Sequence, residues 1–134
     1  MTVLLDASVL LAREDADDAH HDHARRLLAG PEPVATLDLA YYEVTNVAIR
    51  AWSDPAAAQR LRRLVAVIAM DGGLVRCDEP LLAAAADLTA AHRLSAYDAG
   101  YVAAAAAVGA RLVSCDVRDL VSQGLATTPG DALS

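Results

Sequence analysis

Lysine and phenylalanine are both missing from this 134-residue chain, and cysteine is confined to Cys77 and Cys115. Without lysine there is no P-loop phosphate site, no Schiff-base chemistry, and no phosphotransfer centre of the receiver or haloacid-dehalogenase type, although those centres also gather acids at strand ends. Every one of the 11 basic residues is arginine, and they are outnumbered by 18 acids, for a formal charge of −7. So acidic a surface excludes a protein that coats nucleic acid non-specifically, but not an acidic site that works through cations. Long apolar runs are lacking too: the longest uncharged stretch, Ala99 to Ala110, falls short of the roughly 18 residues a membrane span needs. The segment Met1 to Ala12 has no basic leader and is broken by Asp6, unlike a secretory signal. These features predict a cytoplasmic protein without membrane association, its two cysteines buried as thiols.

What is present is apolar and alanine-rich: 55 % of residues are hydrophobic and the mean hydropathy is +0.29. That suits one domain covering residues 1–134, with helices packed closely through small side chains. Strand signals fall at Thr2–Leu5, Val34–Leu37, Leu74–Cys77 and Arg111–Ser114, with a further edge strand expected at Leu125–Thr127. Helical patterns occupy Ala7–Ala12, Asp15–Leu28, Leu39–Trp52 behind Asp38 as a cap, Ala56–Met70, Glu79–His92, Ser95–Val108 and Val117–Val121. Short strands alternating with helices predict βαβ crossovers, hence an α/β fold: three α/β/α layers around a short, mainly parallel sheet.

In such sheets ligands bind beyond the carboxyl ends of the strands. Asp6 and Asp116 each follow a strand immediately, and Asp98 lies in the first turn of the helix leading to the last strand. Each has a structural reading: Asp6 and Asp116 as helix caps, Asp98 as the third position of a Ser95–Asp98 capping box. Glu43 lacks that reading, because it sits on the second turn of a helix in the stripe Leu39, Tyr42, Glu43, Asn46, Val47 and Arg50. A carboxylate desolvated there needs a partner. Converging acids would raise one another's pKa unless cations intervened, and an all-oxygen set suits Mg²⁺ or Mn²⁺, which promotes phosphodiester hydrolysis.

The segments Val3-Leu4-Leu5-Asp6-Ala7-Ser8, Tyr42-Glu43-Val44-Thr45-Asn46, Tyr97-Asp98-Ala99 and Ser114-Cys115-Asp116, with Asp119 following, together resemble a PIN-domain ribonuclease, and more narrowly a VapC toxin of a type II toxin–antitoxin (VapBC) system. The resemblance covers nearly the whole chain. It implies a Mg²⁺- or Mn²⁺-dependent endoribonuclease acting on tRNA, rRNA or mRNA, dimeric and held inactive by a VapB-type antitoxin. It also implies that Asp6, Glu43, Asp98 and Asp116 are the catalytic and metal-holding acids, that Ser8, Asn46 and Ser114 fix them by hydrogen bonds, and that Asp119 is an additional ligand or a surface acid. Tyr42 departs from the pattern, since many relatives carry a small residue before the glutamate.

Other features carry competing readings. His20-His21-Asp22-His23 looks like a Zn²⁺ or Ni²⁺ cluster but equally like a solvated first helical turn. Tyr41, Tyr42, Tyr97 and Tyr101 are read first as core, and secondarily as rings on which an unpaired base stacks. Arg25–Arg26 and Arg60–Arg63 are solvated faces or RNA-backbone contacts. Two rival functions follow from the same residues: a catalytically inactive PIN-like module that binds RNA or protein, and a metal-dependent phosphatase of small monoesters.

Overall fold

The computed structural model describes residues 1–134. Four short parallel strands, β1 (Val3–Leu5), β2 (Val34–Leu37), β3 (Leu74–Val75) and β4 (Arg111–Val113), lie in the order β3-β2-β1-β4. Their pairing is parallel throughout, with Val3 opposite both Val34 and Arg111, and Thr36 opposite Leu74. Helices α1 (Ala7–Glu14), α2 (His21–Ala29), α3 (Ala40–Asn46) and α4 (Pro55–Met70) fill the first two crossovers; α5 (Glu79–His92) and α6 (Ala96–Val108) fill the third, and α7 (Pro129–Ala132) closes the chain.

The strand alternation decides the layers. Val3 and Leu5 point into a core with α1, α2, α3, α4 and α7, while Leu4 between them points into a second core with α5 and α6. Both cores are needed, because a parallel sheet with crossover helices is buried on both faces, and the result is the expected three-layer α/β/α architecture. Strand order runs outward from β1 to β3 and then jumps back across β1 to β4. The direction of winding therefore reverses between β1 and β4, and the carboxyl ends of those two strands flank the crevice where ligands bind in folds of this kind.

Local chemistry explains the element ends. Asp54, Asp78, Ser95 and Thr128 cap their helices through side-chain oxygens, and Gly109, at φ 65°, closes α6 in the left-handed conformation glycine tolerates. Gly73 permits a close approach instead: a Cβ there would stand 2.2 Å from the Val34 carbonyl oxygen. No helix is long and apolar enough to cross a membrane.

Several expectations are corrected. Residues Asp15 to His20 form turns, in which the Asp15 and Asp18 carboxylates accept from the Asp17 and His20 amides, so the second helix begins only at His21. Asp38 does not cap α3; its Oδ2 accepts from the Cys77 amide at 3.1 Å, and Leu39 stands at the cap. The face of α3 that packs inward carries Ala40, Val44 and Ala48, which leaves Tyr42, Asn46 and Arg50 outside. The helix widens into a π-helical turn at Val47–Ala51, and Val117–Val121 is a second such turn. The expected edge strand shrinks to one bridge between Thr127 and Val113. Both thiols are free, but Cys77 is exposed and Cys115 half-buried, because pairing of β3 stops at Val75 and leaves Cys77 beyond the sheet.

Candidate active site

Asp6 ends β1 and caps α1, its Oδ1 accepting from the Val9 amide at 3.4 Å. It is 5 % exposed. Two hydroxyls serve its two oxygens: Ser8 Oγ donates to Oδ1 and Ser114 Oγ to Oδ2, each at 2.5 Å. The same hydroxyls accept from the next strand's exit, Ser8 from the Cys115 amide at 2.9 Å and Ser114 from the Asp116 amide at 3.0 Å. One carboxylate thus stitches the ends of β1 and β4 together across the winding reversal. Burial drives its pKa up to about 6, with the charge of Asp98 adding to the rise and the two hydroxyls opposing it.

Asp116 caps the turn Val117–Val121, accepting from the Asp119 amide at 3.0 Å. Asp98 occupies the third position of α6, where its amide donates to Ser95 Oγ at 3.1 Å. This is half of a capping box, since the Asp98 carboxylate is not turned back to Ser95. It faces acids: one oxygen each from Asp98, Asp116 and Asp119 lie within 4.8 Å of one another. The Asp98 pKa is raised by burial and then by the charges of Asp116 and Asp119.

Glu43, half-buried on α3, accepts a 2.6 Å hydrogen bond from the Tyr101 hydroxyl of α6. Burial raises its pKa, repulsion from Asp98 adds to that, and the tyrosine bond opposes both. Tyr101 is itself 1 % exposed, and burial beside Glu43 pushes its own ionisation far upward, so it stays a donor. Asp98 is the common neighbour, because its charge acts on Asp6 and Glu43 while it feels Asp116 and Asp119.

Asp98, Asp116 and Asp119 thus cluster directly, Asp6 is tied to the Asp116 amide through Ser114, and Glu43 lies near enough to feel the charge of Asp98. Asn46 does not join them; it is exposed, one turn beyond Glu43, and hydrogen-bonds to no carboxylate. Tyr101, which the sequence alone groups with the core or stacking tyrosines, joins the site instead. Its signal was its place one helical turn after Asp98, on the same face of α6. The histidines at 20, 21 and 23 form no metal cluster, and His21 Nδ1 pairs with the Ala12 carbonyl at 2.8 Å.

Like charges this close need compensation. The only cation within 4 Å of the cluster is Arg118, 3.9 Å from Asp119 with both side chains mostly in solvent, which does little for the buried acids. An all-oxygen donor set fits a hard divalent cation.

The sequence model of one family, described as PIN domain, matches residues 3–121. The chain belongs to the PIN domain family. Solved structures share this PIN fold over nearly the full chain. A toxin–antitoxin complex from Klebsiella pneumoniae aligns with a TM-score of 0.73 at 19 % identity, covering 95 % of this chain and 97 % of that one. VapC20 of Mycobacterium tuberculosis, a sarcin–ricin loop cleaving toxin, gives 0.71 at 22 % identity, with 91 % and 95 % covered. PAE2754 from Pyrobaculum aerophilum gives 0.70 at 27 % identity, with 99 % and 87 % covered. No protein of curated function matches the chain in sequence.

Proposed function

We propose that this PIN domain is a Mg²⁺- or Mn²⁺-dependent endoribonuclease, the toxin of a type II toxin–antitoxin pair. The observation that carries the reading is the convergence of Asp6, Glu43, Asp98 and Asp116 from four separated segments at the β1/β4 reversal, without a cation of the protein's own among the buried acids. Family membership and structural neighbours that include toxins and toxin–antitoxin complexes support it.

Asp98, Asp116 and Asp6 would hold the cation directly or through water, with Asp119 at the outer edge. When bound, such a cation lowers the pKa of an attacking water and offsets charge on the phosphodiester. Glu43, oriented by Tyr101, accepts a hydrogen bond or a proton from that water. Ser8 and Ser114 keep both oxygens of Asp6 in one orientation. Water attack at phosphorus that breaks the bond to the 3′-oxygen, with no protein nucleophile, leaves 5′-phosphate and 3′-hydroxyl ends. A VapB-type antitoxin would silence the site by pairing an arginine with these carboxylates in two-point fashion. We extend the reading to a cytoplasmic homodimer acting on tRNA, rRNA or mRNA.

The test is cleavage of tRNA and rRNA fragments with Mg²⁺ or Mn²⁺, with and without EDTA, beside Asp6→Asn and Asp98→Asn. Cation-dependent cutting that both variants lose supports the proposal. Intact RNA in every lane, from a folded and metal-loaded protein, favours the inactive binding module. Ends of the 2′,3′-cyclic kind contradict direct water attack.

A further inference from the structure

One well-formed cavity lies beside the acids rather than among them. It measures about 580 Å³ and is walled by α3, α5 and α6, with Tyr42 and Tyr97 at its mouth and Leu39, Leu81 and Gly100 deeper in. Neither tyrosine belongs to the core: Tyr42 is 78 % and Tyr97 61 % exposed. Each stands next in sequence to a carboxylate of the site, Tyr42 to Glu43 and Tyr97 to Asp98, so the same turns of α3 and α6 that present the acids present the cavity walls on the adjoining face. Gly100 keeps α6 tight against β2, since even a Cβ there would lie 3.3 Å from Leu37 Cδ2. One charged group faces this otherwise apolar space, Asp38 at the exit of β2. The Cys77 amide fixes its Oδ2, and its Oδ1 has no protein partner.

We infer that this cavity is a nucleobase subsite, which takes one unpaired base flanking the scissile phosphate and favours guanine. The inference rests on the nuclease reading above and adds to it which RNA is accepted. Two rings at a cavity mouth offer stacking to any base. A carboxylate accepts hydrogen bonds only, so Asp38 favours a base edge with adjacent N–H donors; guanine presents two side by side, and uracil lacks an exocyclic amine. The demand for an unpaired base selects loops, bulges and single strands over duplex.

The test uses fluorescein-labelled single-stranded octanucleotides, oligouridylate with and without one central guanosine, bound in Ca²⁺ buffer and read by anisotropy, with Mn²⁺-dependent cleavage of the same RNAs followed in parallel. The expected result is a guanosine preference of about 10-fold to 100-fold, the range that a carboxylate paired with two adjacent donors supplies. Tyr97→Ala weakens both RNAs by a similar factor, Tyr97→Phe weakens neither, and Asp38→Asn, which still accepts from Cys77, weakens the guanosine RNA while leaving oligouridylate unchanged. Equal binding of both RNAs, or equal losses in Asp38→Asn, overturns the inference. So does dissociation of a wild-type dimer by Tyr97→Ala in sedimentation, because the cavity is then a contact between copies of the chain. Cleavage without base preference removes the subsite and leaves the nuclease reading standing; base preference without cleavage does the reverse.

Discussion

The Tyr101 hydroxyl donates to Glu43 Oε1 at 2.6 Å, tying α6 to α3 across 58 positions of sequence. Tyr101 is buried and Glu43 half-buried, so this bond places a carboxylate that would otherwise sit in a partly desolvated edge without a partner.

Tyr101→Phe removes that donor and almost nothing else. Because the bond lowers a Glu43 pKa that burial raises, its loss raises that pKa further. RNA cleavage should weaken most at acid pH, with the acidic limb of the rate profile moved upward, and stability should fall by about 1 kcal/mol. Rate against pH and denaturant midpoints check both; an unmoved acidic limb would show that Glu43 does not govern it.

Asp6 makes the metal-free protein pH-sensitive in an unusual direction. Its folded pKa of about 6 lies above its ordinary value of 3.8, so between these limits the folded state binds the extra proton. Stability contributed by this residue is present below pH 4 and is lost as pH rises through 6, a change of about 3 kcal/mol. In EDTA, Asp6→Asn should be more stable than wild type at pH 8, and the difference should vanish towards pH 4, while RNA cleavage is lost. Thermal denaturation of both proteins across that range decides it.

Ser114→Ala deprives Asp6 of one donor and the Asp116 amide of its acceptor. The site is fully buried, so the expected loss is about 1–3 kcal/mol in stability. Metal affinity or cleavage should fall by about 10-fold to 100-fold. Mn²⁺ titration calorimetry separates the two effects, and unchanged affinity would mean that Ser114 serves folding alone.

Gly73→Ala probes the scaffold away from the acids. Its Cβ would meet the Val34 carbonyl oxygen at 2.2 Å, a backbone atom that cannot step aside without parting β2 from β3. A loss of about 3 kcal/mol or more is expected in chemical denaturation. The alanine variant of Gly72, where a Cβ meets nothing but φ is 85°, should cost less.

Much of this was legible in one dimension. Asp6 and Asp116 were placed at the sheet edge by the strand signals before them, and helix boundaries set by Asp54-Pro55, Ser95 and Gly109 fell where capping chemistry puts them. The stripe that includes Tyr42 and Val47 is apolar by composition but is not the inward face of the helix, because Ala40, Val44 and Ala48 are the residues buried in the core. Asn46 follows Glu43 at the same three-residue spacing by which Tyr101 follows Asp98, yet Asn46 is exposed and bonds to no carboxylate while Tyr101 is buried, so helical spacing alone does not decide which side chain enters the crevice.

The sequence by itself determined the period of its elements, their ends and the supply of acids, because these depend on neighbours a few residues apart. Tertiary structure alone decided which hydroxyl reaches which carboxylate, that Tyr101 serves Glu43, that Asp38 turns to Cys77, and that Asp98 comes close to Asp116 and Asp119. Those contacts join residues as much as 108 positions apart. Only the packing of two helical layers on a sheet whose winding reverses brings them within hydrogen-bonding range.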